Sequence, residues 1–462
     1  MYKTVGILLA AVMFVILTAC LSFANDALVY EYPSAAGSAT YFQATADGTT
    51  AIGGYGNGIV DGMLTGTAND APTNVHIGSM GDALIYAYYN VRGSDGNLFS
   101  ITNTADYGVR ARIRFLEAKH SCEILDFDIC LSAKDVWHGI ILKGSDGVGT
   151  LLSIDTDTAV DYGSKRGNPD TNGVFTTDFP TGVPFRFGDT VSCPQTSDTI
   201  TKDDTLEGYF IVIAENRLSE SDTGHDNCGL KSDGAAKDLW DDLEDVGNVL
   251  FGSSYNINLL KGKTYAYNAT AIRDFADRFF PDVPTAATPN LASCDDTITG
   301  LNFVLTKDQI MGSFYDIGTG TEMIINFPTK GVTTTDLFDN THVNITAYDD
   351  KENSKTTVCR FSPCPITEIP ELPYEVNVLS INGANIFSSV VEVPLAVDYT
   401  LGWLDVNLTN NNSDHQTTIS TSEGDFTTFG LPAIGYVVSD IATNGFNWML
   451  PMFYTNKVEF SD

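Results

Sequence analysis

Positive charge is scarce in this chain. Its 462 residues include 25 Lys and Arg against 59 Asp and Glu, which gives a formal net charge of −34 and a pI of about 4.2. A protein that binds nucleic acid needs a positive face to displace the counterions around phosphates. We therefore expect no nucleic-acid partner, and the charge fits a well-solvated surface that attracts cations.

Several motifs of enzymes and metal proteins are also missing. The sequence has no CxxC pair and no HExxH helix, and its six histidines are scattered, which argues against a zinc site. It has neither a strand followed by a GxxxxGK phosphate loop nor a GxSxG nucleophile turn. The glycine-rich stretch 53–58 does not follow a clear strand or precede a clear helix, so we interpret it as a flexible turn. These absences predict a protein that is not an enzyme.

No apolar run after residue 24 is long enough to span a membrane. Lys3 precedes the apolar run 5–17, which is typical of a secretory signal. We predict a signal peptide over residues 1–24, with the mature chain starting at Asn25. A second interpretation stays open, because the segment Leu-Thr-Ala-Cys resembles a bacterial lipobox that leaves a lipidated Cys20. Both interpretations predict an exported protein, secreted or held at the bacterial cell surface.

Seven cysteines follow the signal, and export permits disulfides. Cys122 and Cys130 fall on one predicted strand about 26 Å apart, too far to bond to each other. The predicted pairs are Cys193 with Cys228, which closes an irregular insert, and Cys359 with Cys364, which spans a four-residue turn. The odd number leaves at least one free thiol or one intermolecular bond.

Short strand-like segments separated by turn residues dominate the chain. Five of them follow one another at roughly ten-residue spacing, which is typical of an antiparallel sandwich. They lie at 83–91, 98–103, 109–118, 123–131 and 136–143, and similar segments recur after residue 298. We predict an all-β protein of two tandem antiparallel Ig-like β-sandwich domains with short helical insertions, at 236–251 and 269–280.

The predicted domain boundaries follow changes in composition. An Ala-, Gly- and Thr-rich extension precedes the first sandwich, and a segment with three prolines precedes the second. The predicted parts are an N-terminal extension at 25–80, a first sandwich at 81–280 with an irregular insert at 145–204, a linker at 281–297 and a second sandwich at 298–462.

One hairpin can be predicted with its register. Arginines alternate with apolar residues along 109–118, and aspartates do so along 123–131. A turn at His120 places Arg112 opposite Asp128 and Arg114 opposite Asp126, while the apolar residues of both strands share the other face. We interpret the arginines as one side of a solvated salt-bridge ladder rather than as an anion site.

These strands carry segments that resemble those of a protein family. The family is a group of uncharacterised exported bacterial proteins, often described as cell-surface proteins, with GDALLFPYYNV-, ISITNT-, VRFLEA- and LDFNLYLSPYDVW-like segments. The matching residues here are Gly81–Val91, Phe99–Thr104, Arg112–Ala118 and Ile124–Trp137. The resemblance implies a surface or envelope location and transfers no catalytic residues.

Four aspartates form the best metal candidate. Carboxylates at alternate positions followed by Gly- and Asn-rich turns can wrap Ca²⁺, although the spacing does not match an EF-hand loop. Turn formation explains most of the pattern, because Asp side chains bond to nearby backbone groups. We therefore expect no cofactor, and keep Ca²⁺ as the alternative at Asp155, Asp157, Asp161 and Asp170.

Six aromatic residues are candidates for stacking on sugar rings, although core packing is the use that we favour. They are Tyr86, Tyr88, Tyr89, Trp137, Trp240 and Trp403. Paired acids of the glycosidase kind must occur by chance among 59 acidic residues, so they are not evidence of catalysis. No catalytic role is expected for His120 or His138.

The sequence thus predicts an exported bacterial cell-surface protein with a structural or adhesive role and no catalysis. Its expected partners are other surface proteins or polysaccharide, and its oligomeric state stays open. A carbohydrate-binding or carbohydrate-active secreted protein is the alternative. A third hypothesis is a filament subunit whose N-terminal extension donates a strand to its neighbour. The fold alone does not choose among these functions.

Overall fold

The computed structural model describes a large part of the chain. The described residues are 29–33, 39–43, 76–155, 158–161, 182–188, 191, 193, 199–217, 247–258, 260–273, 275, 295–316, 318, 320–330, 341–356, 371–397, 399–409, 415–421, 424–440 and 447–461. Over these ranges nearly all regular structure is β, so the all-β prediction is confirmed. In the same ranges, no helix is long and apolar enough to cross a membrane.

The first half of the chain contributes strands β1 to β15. They are β1 Val29–Pro33, β2 Ala39–Gln43, β3 His76–Gly78, β4 Ala83–Asn90, β5 Asp95–Asn103, β6 Val109–Glu117, β7 Glu123–Leu131, β8 Val136–Lys143, β9 Gly149–Ser153, β10 Ala159–Asp161, β11 Val183–Pro184, β12 Glu207–Arg217, β13 Leu250–Asn258, β14 Lys263–Asn268 and β15 Thr270–Arg273, with a 3-10 turn at Asp204–Leu206. Sheet 1 has the order β10-β7-β6-β12-β4-β15-β3, and sheet 2 has the order β11-β9-β8-β5-β13-β14.

The second half begins with helix α1, Asp295–Leu305. The strands that follow are β16 Thr306–Lys307, β17 Gln309–Tyr315, β18 Gly320–Asn326, β19 Asn344–Asp349, β20 Ser354–Thr356, β21 Val376–Ile381, β22 Glu392–Leu395, β23 Leu401–Asn407, β24 Gln416–Thr421, β25 Gly424–Phe429, β26 Leu431–Pro432, β27 Ile434–Asp440, β28 Asn447–Pro451, β29 Phe453–Thr455 and β30 Lys457–Ser461. Sheet 3 has the order β20-β19-β23-β17-β29, and sheet 4 has the order β22-β21-β18-β27-β28. Sheet 5, β2-β1-β30-β25-β24, joins the first two strands to the C-terminal ones, and β16 pairs with β26.

The hairpin of β6 and β7 has the predicted register. Arg112 lies opposite Asp128 and Arg114 lies opposite Asp126, as the alternation of charged and apolar residues along both strands predicted. The salt-bridge ladder is nevertheless buried, which corrects the expectation of a solvated face. Strand β12 pairs with the other edge of β6 and brings Glu215 to 3.0 Å from Arg110, so acidic groups meet the arginines from both neighbouring strands.

Four predicted segments are wrong. The predicted helix 236–251 ends in strand, since β13 starts at Leu250, and the predicted helix 269–280 contains strand β15. The insert 145–204 includes β9, β10 and β11, which extend both sheets. Helix α1 begins inside the predicted linker, at Asp295. In each strand case hydrogen bonds to sequence-distant neighbours outweigh the local sequence preference from which a helix or an irregular insert was predicted.

The two halves share one hydrophobic core. The larger core cluster contains Phe99, Phe115 and Phe210 between sheets 1 and 2, and it continues into Val378 and Tyr436 of sheet 4. The other face of sheet 4 packs on sheet 3 around a second cluster. Sheet 4 is therefore buried on both faces, and every residue of β18 and β21 is buried.

A buried carboxylate ties the halves together at this junction. Glu207, at the start of β12, accepts a hydrogen bond from Tyr88 Oη at 2.7 Å and from Arg92 Nε at 3.2 Å. From the second half, the Val390 backbone N–H donates to the same carboxylate at 2.9 Å, and Ser389 Oγ also donates to it. Four donors from two distant segments thus satisfy one buried charge, as buried charges require.

Candidate functional site

Sheet 3 has one face in the core and one face turned outward. Alternation along β17 and β23 sends Ile310, Phe314, Leu404 and Val406 into the second core cluster. The intervening residues of the same strands therefore point away from that core. We call the set Tyr348, Leu401, Trp403, Asp405 and Phe453, which lies on this outward side, the aromatic face.

Two stacked rings occupy the centre of the aromatic face. Tyr348 and Trp403 are directly opposite each other in the β19–β23 pair, and their ring centroids lie 4.4 Å apart at 13° between planes. Gly402 allows this close pairing, because a Cβ there would lie only 2.0 Å from the backbone oxygen of Tyr348. The two stacked rings form an aromatic platform on the outward side of the sheet.

Exposed apolar side chains extend the platform along and across the strands. Trp403 is 38% exposed, Leu401 is 37% exposed and Phe453 is 66% exposed. Phe453 lies opposite Met311 in the β17–β29 pair, and Met311 lies opposite Asp405 in the β17–β23 pair. Apolar patches bordered by polar groups mark binding surfaces in soluble proteins.

An acidic group lies beside the platform. Burial and the nearby Asp308 carboxylate raise the pKa of Asp405 above its usual value. Burial likewise raises the pKa of Asp308, which the hydrogen bond from Thr455 partly opposes. Within the described ranges, Oδ1 of each aspartate has no hydrogen-bond partner. The aromatic face therefore combines flat rings with a half-buried carboxylate that neighbours a second one.

The structure separates the six aromatic candidates into different uses. Tyr86, Tyr88, Tyr89 and Trp137 are fully buried, and Tyr86 stacks on Phe210 with centroids 4.1 Å apart. These four form core, as the sequence analysis favoured, and Trp240 lies outside the described residues. Trp403 remains as an exposed ring. Its partner Tyr348 was missed, because their pairing joins positions 55 residues apart.

The calcium candidates are only partly described. The carboxylate of Asp155 accepts the Thr158 backbone N–H at 2.8 Å, which is the turn-forming use that the sequence analysis favoured. Asp161 lies in β10 opposite Asp128, while Asp157 and Asp170 lie outside the described residues. Calcium binding by this set stays a prediction.

The disulfide predicted from Cys193 to Cys228 is wrong. Cys193 bonds to Cys122, with Cα atoms 4.8 Å apart. The segment after β11 runs beside β7, where the Arg186 N–H donates to the Ile124 oxygen at 2.7 Å, and this pairing carries Cys193 toward Cys122. Cys130 is also disulfide-bonded. Cys20, Cys228, Cys359 and Cys364 lie outside the described residues, as does the signal at 1–24.

A cleft at the junction of the halves is too small for a substrate. It is lined by residues of β13 and β14 and by Phe387 and Asp440, and it has room for about one water molecule. Lys263 forms an ion pair with Asp440 across the junction. The junction therefore acts as packed interior, and the aromatic face is the stronger candidate for binding.

These features define an all-β sandwich protein with an open aromatic sheet face. Comparison with protein-family models, with curated proteins and with solved structures finds no match for this chain.

Proposed function

We propose that this chain is an exported bacterial cell-surface protein that acts by binding, without catalysis, and that its aromatic face binds a neutral polysaccharide. The stacked pair of Tyr348 and Trp403 on an outward sheet face is the observation that carries the proposal. The predicted signal peptide and the resemblance to exported surface proteins support the location. An adhesive role follows, because a protein that holds an envelope or matrix polysaccharide links the cell surface to it.

The chemistry of a sugar ring fits the aromatic face. One side of a pyranose ring presents C–H groups, which pack on flat aromatic faces and bury apolar area there. The ring edge carries hydroxyl groups, which donate to carboxylates such as Asp405 beside the platform. A sheet face five strands wide also suits an extended chain better than a small enclosed ligand.

The charge of the protein selects among polysaccharides. With a net charge of −34, the surface repels acidic chains and gives neutral ones no long-range penalty. We therefore commit to a neutral polysaccharide rather than to an acidic one. Binding should accordingly depend little on ionic strength, since no charge pairing would be screened.

Trp403→Ala is expected to weaken binding of neutral polysaccharide at least about tenfold, because buried aromatic anchors carry much of the affinity at such sites. The measurement is retention of the protein on a panel of immobilised neutral polysaccharides, followed by affinity titration with soluble ones. Phe251→Ala is the matched control, because Phe251 is a 39% exposed ring on the first half of the chain. Equal binding by wild type and Trp403→Ala would contradict the assignment of the face.

A carbohydrate-active enzyme is the alternative that Asp308 and Asp405 favour. Glycoside hydrolysis uses two carboxyl groups, one protonated as the acid and one ionised as the base or nucleophile. The raised pKa values of Asp308 and Asp405 would suit the protonated member of such a pair. The test is release of reducing ends from the polysaccharides that the protein retains. Hydrolysis by wild type that disappears in Asp405→Asn would replace the non-catalytic proposal with this one.

A filament subunit is the third hypothesis. Strand β1 pairs in parallel with β30 of the same chain, inside sheet 5. A filament would make this pairing between neighbouring chains instead. Light scattering over a range of protein concentrations tests the idea, and a molecular mass that stays at one chain would exclude it.

A further inference from the structure

The turn between β6 and β7 is built around a buried carboxylate. Glu117 accepts the backbone N–H of Lys119 and of His120, each at 2.7 Å, and that of Cys122 at 3.3 Å. Three backbone donors therefore hold the carboxylate in one orientation beneath the turn. Backbone hydrogen bonds of this kind orient metal-binding carboxylates in proteins.

His120 directs a nitrogen toward this carboxylate. Its Nδ1 lies 3.7 Å from Glu117 Oε1, beyond hydrogen-bond distance. That nitrogen is buried and has no hydrogen-bond partner in the described part of the chain, although the imidazole itself is partly exposed. A buried nitrogen without a partner is costly unless something else occupies its lone pair.

Two sulfur atoms complete the cluster. The ligand atoms of Glu117, His120 and Cys122 all lie within 4.8 Å of one another. The disulfide places the Cys193 sulfur directly beside that of Cys122. One oxygen, one nitrogen and the Cys122 sulfur thus lie close together at the end of sheet 1, and the Cys193 sulfur is bonded to the last of them.

We propose that reduction of the Cys122–Cys193 disulfide converts this cluster into a Zn²⁺ site. The ligands are the two thiolates, His120 Nδ1 and the Glu117 carboxylate. A tetrahedral zinc ion with bonds of about 2.0 to 2.3 Å needs ligand atoms about 3.3 to 3.8 Å apart. The 3.7 Å separation of His120 and Glu117 meets this requirement. The Cys122 sulfur starts within 4.8 Å of both ligand atoms, and the two sulfurs must move apart once their bond is broken.

The conversion requires an external dithiol as the reductant. The dithiol gives two electrons and two protons to the S–S bond, which breaks to two thiols, and the dithiol leaves as its own disulfide. Zn²⁺ then binds as both thiol protons are released, because only thiolates coordinate the ion. Thiolate and imidazole ligands favour zinc over Ca²⁺ or Mg²⁺. The disulfide and the zinc site are therefore two exclusive states of one cluster.

This site differs from the calcium candidate in ligand type and position. Its local signal is the spacing Glu-x-x-His-x-Cys over 117–122, with the second cysteine 71 residues later. Zinc was not expected from the sequence, because it has no CxxC pair and Cys193 was predicted to bond to Cys228. The Arg186 N–H donates to the Ile124 oxygen of β7, and the second sulfur, of Cys193, is bonded to Cys122.

The test is zinc binding by the full chain before and after reduction with a dithiol that is then removed. Oxidised protein is expected to bind no zinc at this site, and reduced protein to gain one ion there. Cobalt in place of zinc is expected to give thiolate-to-metal charge-transfer absorption. Reduced protein that unfolds, or that stays folded without zinc, would overturn the proposal.

Variants separate this cluster from the other cysteines. His120→Ala leaves the disulfide intact and is expected to weaken zinc binding by the reduced protein at least about tenfold. Loss of a residue that only hydrogen-bonds to a metal ligand already costs that much, and His120 is proposed as a ligand itself. His138→Ala and the double variant Cys359→Ser/Cys364→Ser are the controls, and both should bind zinc as wild type does. Zinc affinity unchanged in His120→Ala, or lost equally in the controls, would place the metal elsewhere and reject the site.

Discussion

Glu322→Gln is expected to raise the free energy of unfolding more at high pH than at low pH. Its effect above pH 8 should exceed its effect at pH 4.5 or below by up to about 5 kcal/mol. Burial raises the pKa of Glu322 from 4.5 to about 8 in the folded protein. Each pKa unit by which the folded and unfolded states differ corresponds to about 1.4 kcal/mol of stability. The folded state therefore prefers the protonated carboxyl, while the unfolded chain ionises freely above pH 4.5.

The sign of the pH effect follows from proton uptake. Between pH 4.5 and 8 the folded state binds more protons at Glu322 than the unfolded state does, so the contribution of Glu322 to stability falls as pH rises. Glutamine removes this titration and resembles the protonated acid. Its amide oxygen can still accept the Ile386 N–H, which lies 2.7 Å from Glu322 Oε1.

The measurement is the free energy of unfolding by urea titration, for variant and wild type, across pH 4.5 to 8.5. The difference between the two proteins is the relevant quantity, because Glu375 and Lys307 also titrate with shifted pKa values. Glu352→Gln, at an exposed position, is the matched control and should show no trend. A pH-independent difference for Glu322→Gln would contradict the account.

Glu207→Ala is expected to destabilise the protein by roughly 3 to 5 kcal/mol, the loss that follows when one partner of a buried charge pair is removed. The substitution leaves Arg92 and Tyr88 of the first half without their shared acceptor. It also leaves the Val390 N–H and Ser389 Oγ of the second half without one. Both halves lose a bond at once, so the junction should loosen before either core does.

Urea titration measures the total loss, and hydrogen exchange locates it. Faster exchange at Val390 and along the start of β12 is expected in Glu207→Ala. Ser389→Ala is the control, because it removes one neutral donor and should cost about 1 kcal/mol. A loss below 1 kcal/mol for Glu207→Ala would mean that this carboxylate does not hold the halves together.

The alternation of apolar and polar residues along the sequence predicted many of the strands in the first half of the chain. The bounds of β7 and β8 and the register of Arg112 with Asp128 follow from side chains that alternate between a core face and a charged face. Strands β24 and β25 were missed, because their Thr-rich segments lack apolar alternation. The Ig-like topology stays a prediction.

The candidate sites depended on contacts between distant positions, which local patterns do not encode. Trp403 was among the aromatic candidates, but its value comes from Tyr348 on another strand. Cys193 was expected to close its own insert, whereas it is bonded to Cys122 at the start of β7. In both cases the chemistry arises where sheet register joins segments that lie tens of residues apart.

The most direct test of the binding proposal is calorimetric titration of the wild-type protein with neutral oligosaccharides of increasing length. We expect affinity to rise with length until the oligosaccharide spans the platform from Tyr348 to Phe453, and then to level off. Binding should be nearly insensitive to salt and weakened at least about tenfold by Trp403→Ala. No binding of any neutral oligosaccharide, or binding that Trp403→Ala leaves unchanged, would contradict the proposal that the aromatic face holds a polysaccharide.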